Sequence, residues 1–265
     1  MPFIPADAFP WFALVLGLLL GSFYNVCIHR YIEEESILWP PSHCPLCDTK
    51  LGPLDLVPVL SWVFLRGKCR ACGQPISIRY PVVELVSGSL AWLLAMRFGM
   101  TWPFAVYMVF GGALLVASFI DLEIFILPDP ITLGGAVLAP LAAVWLLDMR
   151  WQESVAGALA GGGVFWLLLW GFRKLRGIEG MGMGDVKLML LIGGLCGARA
   201  LPLVTLVACF AALLAALWFA ARRTPDTSVR EMQIPFGPFL SLGAVVYMLY
   251  GPQIVVWWVQ VVTGI

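Results

Sequence analysis

The run WPFAVYMVFGGALLVASFID, Trp102–Asp121, holds twenty residues, and the last of them carries the only charge. At 1.5 Å per residue a helix of that length covers about 30 Å, the thickness of a bilayer's hydrocarbon core. The run therefore reads as a membrane span that ends on an acid. A carboxylate at membrane depth is expensive and is kept mainly where it has a task. A second one, Asp185, closes Gly182-Met183-Gly184-Asp185 at the edge of another apolar segment. Two such acids suggest a carboxylate pair that shares one proton and activates water. The plainer reading is that each acid caps a helix at the interface. The run from Gly180 to Gly184, Gly-Met-Gly-Met-Gly, favours the pair, because glycines let another backbone approach closely.

Outward from this run, the whole chain has the same character. Of 265 residues 61% are hydrophobic and 12% charged, too apolar for a soluble domain. Eight apolar stretches read as spans, at 9–28, 80–98, 102–121, 128–148, 154–172, 185–197, 200–221 and 235–261. The fold class expected is an all-α polytopic membrane protein with a small cytoplasmic insert. The sixth stretch is short: tilted, re-entrant or fused to its neighbour through Gly197-Ala198-Arg199. The first has no basic start, and its end at Cys27-Ile28-His29-Arg30 is no small-residue cleavage site, so it is expected to remain as an anchor.

Basic residues give the orientation. With eight spans and an external N-terminus, one side receives Arg30, Lys50, Arg66, Lys68, Arg70, Arg79, Arg173, Lys174, Arg176, Lys187, Arg222, Arg223 and Arg230. The other side receives Arg97, Arg150 and Arg199. The first group marks the cytoplasm. Both termini then lie outside, and Asp121 and Asp185 share the cytoplasmic face.

The segment 30–79, between a first span in 1–29 and seven further spans in 80–265, is the only sizeable polar stretch. It carries Cys44-Pro45-Leu46-Cys47 and Cys69-Arg70-Ala71-Cys72, two CxxC pairs 21 residues apart. That spacing is close to a four-thiolate zinc ribbon, in which the metal replaces a core too small to form. Disulfides would need an oxidising compartment, whereas the charge bias puts this loop in the cytoplasm. Four thiolates leave no open coordination position, so the zinc would be structural. His43 is either a substitute ligand or a solvated neighbour.

Other features read plainly. Cys27, Cys196 and Cys209 sit in or beside spans as small hydrophobes. Gly17-xxx-Gly21 and Gly157-xxx-Gly161 read as close helix contacts. Trp11, Trp102, Trp151 and Trp257 fit an interfacial belt. Glu33-Glu34-Glu35 is a solvated run. Zero net charge and dispersed basic residues exclude nucleic acid as a partner, and no glycine-rich nucleotide loop follows a strand. Ser118 has no histidine near it in sequence, which disfavours a serine hydrolase.

Five motifs in order resemble the bacterial type IV prepilin peptidases, bifunctional leader peptidases and N-methyltransferases of pilus and type II secretion systems. They are Gly21-Ser22-Phe23-Tyr24-Asn25-Val26; the CxxC pairs followed by Ile76-Ser77-Ile78-Arg79-Tyr80-Pro81-Val82-Val83-Glu84-Leu85; Ile120-Asp121 with Leu127-Pro128-Asp129; Gly182 to Lys187; and Pro235-Phe236-Gly237-Pro238. The chain departs from the family after His29-Arg30, where Tyr31-Ile32 replaces the common Leu-Pro.

The resemblance implies that Asp121 and Asp185 are catalytic and cut a short basic leader from prepilins or pseudopilins at the cytoplasmic face of the bacterial inner membrane. It implies that the new N-terminal residue is then methylated from S-adenosylmethionine, with the insert as the place of transfer. Which aspartate starts as base stays open. Gly182 and Gly184 would shape the site. Lys187 either attracts an acidic group of the substrate or snorkels to lipid phosphate, and Asp129 caps or orients the fourth span. Glu84 either binds the substrate amine or caps its helix. Alternatives from other classes are a proton- or ion-coupled transporter, which inverted repeats would favour, a non-catalytic assembly protein docking through the insert, and a peptidase without methyl transfer. A presenilin-type protease shares GxGD but cuts within the bilayer and needs no cysteine insert.

Overall fold

Each expected span is a helix in the computed structural model, which describes residues 5, 7–39, 41–176, 182–222 and 234–263. Gly180, Met181, Arg223 and Arg230 lie outside the described residues. The helices are α1 Phe9–Ile32, α2 Leu60–Phe64, α3 Arg79–Phe98, α4 Trp102–Ile124, α5 Asp129–Leu146, α6 Trp151–Arg176, α7 Met183–Cys196, α8 Leu201–Ala221 and α9 Gly237–Thr263. Among the described residues there is no β-strand, only isolated bridges at His43–Lys50 and Lys68–Pro75. The fold is all-α and polytopic, with an insert between α1 and α3.

Among the described residues seven helices are long and apolar enough to cross a membrane, and of the eight expected spans α7 is the exception. Its 14 residues give about 21 Å of helix, less than a hydrocarbon core. It starts after Gly182 in extended conformation and stops at Gly197, whose φ of +79° ends the helix. Shortness is tolerated because α7 is enclosed. Leu188, Leu191, Ile192 and Leu195 are fully buried, and the helix packs against α6, α5 and α9.

The chain divides into two compact units, 1–116 and 117–265. In the first, α1 lies directly on α3. A side-chain carbon on Gly17 would stand 2.7 Å from the Ser87 carbonyl and 2.9 Å from the Gly88 Cα. The Ser87 hydroxyl donates to the Gly17 carbonyl at 2.7 Å, and the Asn25 amide donates across the pair to the Tyr80 carbonyl at 3.0 Å. In the second unit α6 and α7 meet in the same way. A carbon on Gly157 would run into the Gly193 carbonyl, and Ser154 Oγ donates to the Gly194 carbonyl at 2.6 Å. Lipid is as apolar as leucine, so backbone approach and hydrogen bonds, not apolar burial, hold such contacts. For the same reason α8 leaves Leu213, Leu217 and Trp218 more than half exposed at no cost in a bilayer.

Candidate active site and metal centre

Asp121 lies in the last turn of α4, where the helix's own dipole disfavours a carboxylate. It is stabilised instead by the start of another helix. The backbone N–H of Gly237, first residue of α9, donates to its carboxylate. Asp185 stands in the first turn of α7. Its carboxylate accepts the Gly182 N–H while its own N–H donates to the Gly182 carbonyl at 3.2 Å, a reciprocal cap. The capping reading thus describes one part of what Asp185 does. The other part is electrostatic: the Asp121 charge acts on Asp185. The N-terminus of α9 meets the Asp121 carboxylate and that of α7 carries Asp185, and both acids are buried, at 6% and 7% exposure.

Leu127 forms an apolar wall beside them. Its side chain would lie 3.0 Å from a carbon on Gly184 and 3.0 Å from one on Gly237, where the Asp121 Oδ2 would stand at 2.6 Å. Glycine at 237 is therefore demanded by the carboxylate itself. The sequence shows Pro235-Phe236-Gly237-Pro238 and Leu127-Pro128-Asp129 only as motifs; no local signal says that they meet.

Lys187 and Asp129 come together as well. Lys187 Nζ lies 2.6 Å from Asp129 Oδ1, with the lysine side chain only 25% exposed. The lysine that could have snorkelled to lipid is paired, and the pair ties the start of α5 to the start of α7. In a partly exposed setting such a bond adds about 1 kcal/mol or less, so its value is positional.

The cysteines form a second centre, in the first unit. Cys44, Cys47, Cys69 and Cys72 offer sulfurs all within 4.8 Å of one another, with Cys44 and Cys72 at 3.9 Å. Sulfurs at tetrahedral corners, each about 2.3 Å from zinc, stand about 3.8 Å apart, so the four residues fit that ion. His43 is not in the group; its Nδ1 faces the Pro41 carbonyl at 3.1 Å. The two knuckles repeat one design. Cys44 N–H donates to the Thr49 carbonyl and Asp48 N–H returns to Cys44, as Cys69 N–H donates to Gln74 and Gly73 N–H returns to Cys69. Asp48 and Gly73 take the left-handed conformation at matching positions, φ +55° and +71°. The Thr49 hydroxyl pulls the Cys47 thiol down to about 7, and backbone N–H groups, Cys72 first, lower Cys69. Both shifts favour the thiolates a metal needs, whereas burial and the neighbouring sulfurs push the Cys72 thiol up to about 11. Between the knuckles Asp55 pairs with Arg70 at 2.7 Å, and that guanidinium holds its carboxyl below the usual range.

Glu84, also in the first unit, does not cap its own helix, because α3 begins five residues earlier at Arg79. Its Oε2 accepts the Val59 N–H at 2.7 Å. Arg30, which the sequence shows only as one of the basic residues setting orientation, is buried at 5% exposure and donates to the Ser36 and Ile37 carbonyls. A basic residue at the end of a span gives no sign of its backbone partners.

A polytopic helical membrane protein with a buried carboxylate pair and a four-cysteine insert is the class this geometry defines. Comparison with known proteins narrows it. Residues 15–98 match the Bacterial Peptidase A24 N-terminal domain, and residues 108–217 match the Type IV leader peptidase family. The chain belongs to the type IV leader peptidase family. It is 35% identical to the prepilin leader peptidase/N-methyltransferase of Aeromonas hydrophila, over 96% of each chain. It is 37% identical to the protein of that name from Burkholderia pseudomallei, over 91% of this chain and 85% of the other. The Stutzerimonas stutzeri protein of the same name is 34% identical over 96% and 94%. No solved structure matches the chain.

Proposed function

We propose that the protein removes the leader peptide of type IV prepilins or pseudopilins with Asp121 and Asp185, and then N-methylates the new terminus from S-adenosylmethionine, in a bacterial inner membrane. The observation that carries the peptidase reading is the convergence of two buried carboxylates on the N-termini of α7 and α9. Close carboxylates cannot both hold full charge, so one is ionised and takes a proton from water while the other, protonated, polarises the scissile carbonyl. The pair titrates as a unit, and either aspartate can begin as base. Leu127, packed against Gly184 and Gly237, sets an apolar side chain beside the acids.

A substrate with a basic leader and a long apolar helix would present its junction at the cytoplasmic membrane surface. The bias of Lys and Arg supports the same location for both aspartates. For the second reaction S-adenosylmethionine would supply an electrophilic methyl group, and the insert is the proposed place of transfer. Cys44, Cys47, Cys69 and Cys72 would hold structural zinc and so fix the insert's shape. Nothing in the chain's charge supports a nucleic-acid partner.

The test is co-expression with a prepilin and mass spectrometry of the product. Wild type should remove the leader and add one methyl increment. Asp121→Asn and Asp185→Asn should each lower cleavage at least about a hundredfold while the protein still accumulates in the membrane. Substantial processing by either well-inserted variant would end the dyad assignment.

A further inference from the structure

A cavity of about 940 Å³ lies in the first unit, lined by the ends of α1 and α3 and by the insert. Three observations on its wall belong together. Asn25 is 1% exposed, and its Nδ2 donates to the Gly21 carbonyl at 3.2 Å and the Tyr80 carbonyl at 3.0 Å. Those two acceptors fix the amide orientation, since the flipped amide would set oxygen against oxygen. Asn25 Oδ1 is then left buried with no hydrogen-bond partner. A buried acceptor without a donor is costly and calls for an explanation.

Glu84 lines the same cavity, 7% exposed. Among the described residues its hydrogen-bond donors are the Val59 amide and the Ser22 hydroxyl, both neutral. Val59 itself sits at φ +61° and ψ −50°, a positive-φ conformation that a β-branched residue rarely adopts. Backbone strain of this kind persists where the surroundings impose it, and it clusters at ligand sites. The Glu84 carboxylate is the group that holds Val59 N–H, immediately before the short helix α2, whose Trp62 also lines the cavity.

We propose that Asn25 Oδ1 and the Glu84 carboxylate form a subsite for a primary amine or ammonium group, resting on the reading of the insert as the place of methyl transfer. A neutral acceptor and a carboxylate together suit a group with several N–H donors and positive charge. Two participants in the reaction carry one: the methyl donor, through its α-ammonium, and the peptide, through the amino terminus that cleavage exposes. The cavity's size admits a drug-sized ligand.

Full-length protein purified with its zinc is titrated calorimetrically with three probes. S-adenosylhomocysteine bears the donor's α-ammonium without a transferable methyl. A peptide with the mature amino terminus is used free and N-acetylated. Glu84→Gln keeps an oxygen for Val59 but removes the charge, and Asn25→Ser removes Oδ1. One zinc per chain and an unchanged unfolding temperature show in each variant that the insert is intact. Glu84→Gln should weaken binding at least about tenfold, with Asn25→Ser changing it in the same direction. Loss confined to S-adenosylhomocysteine assigns the subsite to the donor. Loss confined to the free peptide, with the acetylated form already weak on wild type, assigns it to the substrate. Wild-type affinity for both probes in both intact variants overturns the subsite and leaves methyl transfer standing. A wild-type protein that binds neither probe removes the methyl-transfer reading itself.

Discussion

Gly237 is the residue whose identity the site constrains most sharply. An alanine there would force Asp121 Oδ2 or Leu127 aside, since both lie within 3.0 Å of the added carbon. Overpacking of this kind costs about 1–3 kcal/mol, and a displacement near 1 Å in a reacting group can cost about a hundredfold in rate. Gly237→Ala should therefore reduce leader cleavage at least about tenfold while the protein accumulates normally, as read from the processed fraction of a co-expressed prepilin. Lys187→Met tests the positional ion pair. It frees Asp129 and unties the start of α7 from the start of α5, without touching either acid. Cleavage should fall a few-fold, and the double change Lys187→Met with Asp129→Leu should do no further harm, because the pair is already broken.

At the scale of elements, the insert and α7 are stable for opposite reasons. Outside its cysteine cluster the insert leaves Leu54, Leu60 and Phe64 more than half exposed, so the cysteines substitute for a core. Metal binding in such segments supplies of order 10 kcal/mol of folding free energy. Purified protein should contain about one zinc per chain. Replacing Cys44 and Cys47 by serine should remove it and loosen residues 30–79, measured by metal analysis and limited proteolysis. Methylation should fail first, with cleavage reduced but not lost, because the helices carrying the aspartates do not need zinc to pack. Metal-free protein with all four cysteines intact, or a disulfide joining the knuckles in cells, would remove the ribbon from the account. By contrast α7 is held by helices, not metal. Gly157→Leu should drive α6 from α7 and lower both accumulation and unfolding temperature, where a leucine on the lipid side of α8 should do nothing.

For the whole molecule the prediction is orientation. Single cysteines near Arg97 and near Arg222, in a background without other reactive thiols, separate the two faces. A membrane-impermeant reagent added from outside should reach only the first if the side rich in Lys and Arg faces the cytoplasm as proposed. The reverse pattern would move the proposed chemistry to the side of the membrane opposite the one proposed for the substrate's leader.

Composition and the length of the apolar runs determined the all-helical membrane class, because a bilayer admits only helices or closed barrels and the runs are long and unbroken. The CxxC spacing determined the cysteine cluster, since each knuckle is a local turn whose sulfurs follow from a few residues. Asp121 and Asp185 were legible as expensive charges at the ends of apolar runs. Their anchorage was not legible. Gly237 N–H on Asp121, Leu127 against Gly184 and Gly237, and Lys187 on Asp129 join positions far apart in the chain, and only packing brings them together. The same holds for Glu84. Its place near the start of α3 suggested a cap, whereas the fold carries a strained Val59 to its carboxylate. Local rules set which segments become helices and which cysteines cluster. The partners of each buried polar group were decided by tertiary structure, because a hydrogen bond is indifferent to separation along the chain.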